Sequence, residues 1–128
     1  MSDPVNHPSH YTAHASGIEA IEICQSLDFC SGNAVKYIFR AGLKDPVLQD
    51  LHKAAWYLRR AHENGNGWCS AFPDQEAVLK VIDHEIRGSV LRDVLEATVL
   101  RLLTARPALY DLALARVERE IERVREGR

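Results

Sequence analysis

The chain has 128 residues, enough for one domain with a modest core, and its 46% hydrophobic content is too high for a typical disordered polymer. Lys and Arg number 16 against 18 Asp and Glu, and a formal charge of -2 gives no reason to expect broad attraction to nucleic acid. No apolar run reaches membrane-spanning length, because Glu96, Arg101 and Arg106 break the longest candidates, and the opening residues lack the basic-then-apolar order of a secretory signal.

In chain order, residues 1–16 are expected to be extended or looped, since Pro4 and Pro8 bias the backbone away from helix. A first helix is expected from about Gly17 to Leu27, with Ser16 as its cap and Glu19 in capping-box position. Ser31 is the expected cap of a second helix running through Ala41 and ended by Gly42. The third begins at Asp45 and Pro46, buries Leu51, Ala54, Ala55 and Leu58, and ends at Gly65 and Gly67. Residues 65–75 read as a connector, with Trp68 and Phe72 available to pin it to the core.

Val78, Leu79, Val81, Ile82 and Ile86 mark a fourth helix, and Gly88 separates it from a fifth covering roughly Ser89 to Thr104. Pro107 is the expected start of the last helix, whose charged end carries Val117, Ile121 and Val124 as a stripe for the body or for another chain. With no strong strand series, the expectation is an all-α, compact helical domain of residues 1–128 with an extended N-terminal His/Tyr-containing loop.

Chemistry concentrates in two places. The stretch VNHPSHYTAH sets Asn6, His7, His10 and Tyr11 in one non-helical segment, where ordered donors could close over phosphate or base atoms; His14 is a secondary candidate. On the second helix Lys36 and Arg40 are one turn apart, so both can reach one anion, or both can pair with acids such as Asp45 and Asp50. Lys53 adds a third cation. Trp56 and Tyr57 offer rings for stacking, although such residues in an AAWYL segment also serve as core or interface, and His52 and His62 are assigned to packing or solvent.

Cys24, Cys30 and Cys69 cannot all pair within the chain and form no CxxC, so free thiols are expected. They show no catalytic constellation, and neither they nor the histidines match a zinc signature, so no catalytic residue and no metal ligand is assigned.

VNHPSHYTAHASGIEAIEIC, at residues 5–24, and GNAVKYIFRAGLKDPVLQDLHKAAWYLRRA, at 32–61, resemble a family of small tailed-phage proteins of unknown function, often labelled nucleotide kinases. The resemblance implies a phage origin, a ligand-binding core at 5–62 and a variable helical part at 76–126. Kinase chemistry is not expected, because no GxxxxGK[ST] phosphate loop is present. The same region is more weakly similar to MazG-like all-alpha nucleotide pyrophosphohydrolases, which hold magnesium on acids of an ExxE helix and an ExxD helix. Glu19 and Glu22 fit the first pattern, but Asp50 and Lys53 stand where the second has two acids. An ammonium repels magnesium and can itself contact phosphate, which favours retention over hydrolysis.

The resulting expectation is a phage protein of the infected bacterial cytoplasm that binds a nucleotide or nucleotide-derived host defence signal through Asn6, His7, His10, Tyr11, Lys36, Arg40 and Lys53. It is expected to form a homo-oligomer, with no membrane partner, no direct nucleic-acid binding and no required cofactor. One alternative is a magnesium-dependent nucleotide pyrophosphohydrolase using Glu19, Glu22 and Asp50, with Asp45 as a further acid. Another is a protein-interaction module that inhibits a host protein.

Overall fold

A computed structural model describes residues 14–64 and 74–127. Its helices are α1 (Ala20–Cys24), α2 (Phe29–Phe39), α3 (Val47–Asn64), α4 (Gln75–His84), α5 (Val90–Ala97), α6 (Val99–Leu103) and α7 (Tyr110–Arg125). The described residues contain no strand, and the expected all-α class holds. The connector residues Trp68 and Phe72 and the proposed N-terminal loop lie outside the described residues. Among the described residues, no helix is long and apolar enough to cross a membrane.

Local hydrogen bonding moves several expected boundaries. Glu19 caps α1 in a reciprocal box, its own N–H donating to Glu22 Oε2 at 2.7 Å. Ser16 acts one turn earlier, accepting the Ile18 N–H at 3.1 Å, so the helix begins later than expected and stops at Cys24. Asp28, rather than Ser31, caps α2 by accepting the Ser31 N–H at 2.9 Å. The Ser31 hydroxyl is bound to Asp28 Oδ2 at 2.8 Å and lies 2.6 Å from Tyr110 Oη, which ties α2 to α7.

The expected fifth helix breaks at Thr98, whose backbone leaves helical values (φ -115, ψ -81) between α5 and α6. Its hydroxyl donates to the Val94 carbonyl at 2.7 Å, a side-chain bond that competes with the helical ladder. The last helix starts at Tyr110 and not at Pro107. Residues 107–109 instead strap the preceding helices: Arg101 Nε donates to the Pro107 carbonyl at 2.7 Å, and the Leu109 N–H to the Ala97 carbonyl at 2.9 Å.

Helix α3 is central. It packs against α2 on one side and α7 on another, while α5 bridges α2 and α7 and α4 packs on α5. Leu51, Ala54, Ala55 and Leu58 are buried as the spacing required, and Ala61 continues the stripe. From α7, Val117 and Ile121 are buried and Val124 is half-buried, so this stripe packs on the body. One hydrophobic cluster therefore joins the two halves of the chain.

Candidate functional site

The packing of α2 on α3 places three cations around one ring. Lys36 Nζ lies 4.7 Å from the Tyr37 ring centre, the Arg40 guanidinium carbon 4.7 Å and Lys53 Nζ 5.2 Å. Each is within cation–π range. The three basic residues singled out in the sequence are thus brought together, and Tyr37 is the group they share.

The cations differ in what else they touch. Arg40 is 6% exposed and bonds Asp45 Oδ2 through Nη2 at 3.0 Å, with Asp50 Oδ1 at 3.5 Å. Asp45 therefore faces Arg40, and the Pro46 carbonyl accepts the first helical bond of α3 from Asp50 N–H. Asp50 is wholly buried, and its Oδ2 accepts the Gly42 N–H at 3.2 Å just past α2. Gly42 takes φ +81 there, a value that favours glycine. Arg40 Nε and Asp50 Oδ1 are buried without a hydrogen-bond partner. By contrast, Lys36 and Lys53 are half-buried and, among the described residues, have no carboxylate partner.

Aromatic contacts extend outward from Tyr37. Tyr57 stacks on it with ring centres 5.9 Å apart and planes 11° apart. Phe29 and Trp56 each meet Tyr57 edge-on, at 5.9 and 5.0 Å. Trp56 is 55% exposed and Phe29 74%, so Trp56 does not belong to the core. A shallow groove lined by Ile21, Asp28, Phe29, Asn33 and Lys36 runs beside this face. Phe29 had no sequence signal, because only α2–α3 packing sets it beside Tyr57.

The acids of the magnesium alternative are engaged elsewhere. Glu19 and Glu22 form the α1 capping box, and Asp45 and Asp50 hold Arg40. Among the described residues, no group of three or more His, Cys, Asp or Glu side chains is placed to hold a metal ion. Cys24 and Cys30 are free, and burial pushes the Cys24 thiol up to about 12, which keeps it protonated and inert at neutral pH. Burial, and then Asp28, also raise Cys30.

His14 is mostly buried against Phe39, with ring centres 5.2 Å apart; its Nδ1 meets Ser16 Oγ at 2.7 Å and its Nε2 lies 3.5 Å from Glu85. These contacts tie it to α2 and to Glu85, and none is with Lys36, Arg40 or Lys53. His52 and His62 are exposed. Asn6, His7, His10 and Tyr11 lie outside the described residues.

Residues 5–59 match the model of a family described as a protein of unknown function, DUF3310. No curated protein and no solved structure matches the chain. The matched segment includes Tyr37, its three cations and Trp56, and ends before α4 begins.

Proposed function

We propose that this is a phage protein that binds a nucleotide or nucleotide-derived signal in the infected bacterial cytoplasm and retains it without turnover. One observation carries the reading: Lys36 and Lys53 reach the same Tyr37 ring from different helices, and neither has a carboxylate partner among the described residues. Half-buried ammonium groups without a carboxylate are stabilised by an anion, and a phosphate supplies that charge. Arg40, its charge taken up by Asp45 and Asp50, fixes Tyr37. Asn6, His7, His10 and Tyr11 belong to the same proposed ligand-binding set, on the chemistry of their side chains.

The phage assignment is supported by the likeness of residues 5–24 and 32–61 to tailed-phage proteins. Binding without hydrolysis suits sequestration of a host defence signal, and assembly as a homo-oligomer belongs to the same reading. Lys53 supports retention, because its ammonium replaces a metal as the positive charge.

The test is mass spectrometry of small molecules released by denaturing protein purified from nucleotide-rich extract. A Lys36→Ala/Lys53→Ala variant is the control, with Arg40 kept because its loss would strand Asp50 in the core. Intact nucleotide released by the natural protein and absent from the variant is the expected result. No nucleotide released, and none bound on addition, would overturn the proposal. Loss of added nucleotide only when magnesium is present would establish hydrolysis instead.

A further inference from the structure

We infer that the exposed aromatic face beside the cations is a base-stacking platform, with Trp56 as the residue that gives the site its preference for a nucleoside phosphate over a bare polyphosphate. This deepens the nucleotide-binding reading and rests on it. Lys53, Trp56 and Tyr57 lie three and four residues apart along α3, so they share one side of that helix. The indole meets Tyr57 at 5.0 Å, Tyr57 stacks on Tyr37 at 5.9 Å, and Tyr37 meets Lys36 and Lys53 at 4.7 and 5.2 Å. A continuous surface therefore runs from an exposed planar ring to two ammonium groups that have no carboxylate partner among the described residues.

Single exposed apolar residues are ordinary on a protein surface. This pair is different because Phe29 and Trp56 come from separate helices and flank the same tyrosine. Two other exposed apolar patches adjoin cations that are already committed. Leu79 lies by Lys80, which pairs with Glu76, and Ile86 and Leu112 lie by Arg116, which is held by Asp93 and Glu120. Only the Trp56 face combines exposed rings with half-buried unpaired ammonium groups among the described residues. A ligand carrying a planar base at one end and phosphate at the other matches both features. An apolar protein partner would match the rings alone.

The test is calorimetric titration of the full chain with the four common ribonucleoside triphosphates and with inorganic tripolyphosphate, which keeps the phosphates and removes the base. At least one nucleotide is expected to bind on the order of tenfold more tightly than tripolyphosphate, the scale of one base–aromatic stack. Trp56→Ala should erase that difference and leave tripolyphosphate affinity unchanged, while Trp56→Phe should keep most of it. Phe29→Ala provides a second, independent loss of preference should Trp56→Ala misfold.

Equal binding of tripolyphosphate and every nucleotide by the natural protein would overturn the platform and leave phosphate binding standing. So would a nucleotide preference that survives Trp56→Ala. No binding of any probe would overturn the platform together with the nucleotide reading. A Trp56→Ala change that alters self-association and not ligand preference would assign the face to a second copy of the chain.

Discussion

Asp50 holds α2 and α3 together at a single point. Its carboxylate accepts the Gly42 N–H and faces the buried Arg40 guanidinium, so losing it leaves both without that partner. Asp50→Ala is expected to destabilise the fold by about 3 kcal/mol, the scale for breaking a buried charge pair, and Asp50→Asn by less because it keeps an acceptor. Urea denaturation of the two variants checks this, and a neutral Asp50→Ala would refute the tie. At Cys24 burial raises the thiol from its ordinary 9.0 to about 12. The unfolded chain ionises there first, so this contribution is intact below about pH 9 and falls as pH rises toward the folded value. Cys24→Ser should flatten stability over that alkaline window, which thermal melts at increasing pH would show. Lys36, Arg40 and Lys53 were legible as a candidate set from charge and spacing. That Arg40 is committed to Asp45 and Asp50 while both lysines lack a carboxylate was not, because it depends on how α2 and α3 meet.

Among the elements, α3 was the most legible, since Leu51, Ala54, Ala55 and Leu58 define its buried face without outside help. The caps were less so. Several Ser, Asp and Glu residues near α1 and α2 can accept a backbone N–H, and tertiary contacts chose among them; Ser31 is drawn toward Tyr110, 79 residues away. The break at Thr98 was hidden for a similar reason, as a hydroxyl bonds its own helix only where the surrounding packing permits. Helix α7 is tied to α5 by Arg116, which reaches Asp93, Glu120 and the Gly88 carbonyl. The hydrogen bond from Arg123, helped by Arg116, holds the Glu120 carboxyl below its ordinary value despite burial. A depressed carboxyl contributes stability above its unfolded value of about 4.5, and that contribution is lost as pH falls further. Glu120→Gln should therefore flatten the acid limb of thermal stability, and an unchanged limb would show that the arginines add nothing there.

Across the whole molecule, the family-matching segment and the later helices share one core. A chain ending at residue 62 would uncover the α3 surface on which α7 packs, and it is expected to lose cooperative unfolding and helical circular dichroism. Tyr110→Phe is a milder probe, removing the hydroxyl bound to Ser31 at an expected cost of about 1 kcal/mol, read as a lower denaturant midpoint. The bond between Ser31 and Tyr110 also bears on inheritance. A recombination event that moved only the coding stretch for residues 5–59 would deliver half of an interface, with a serine short of its tyrosine and a helix short of its roof. Any recipient sequence would have to bring its own covering helix, and with it a partner for the Ser31 hydroxyl.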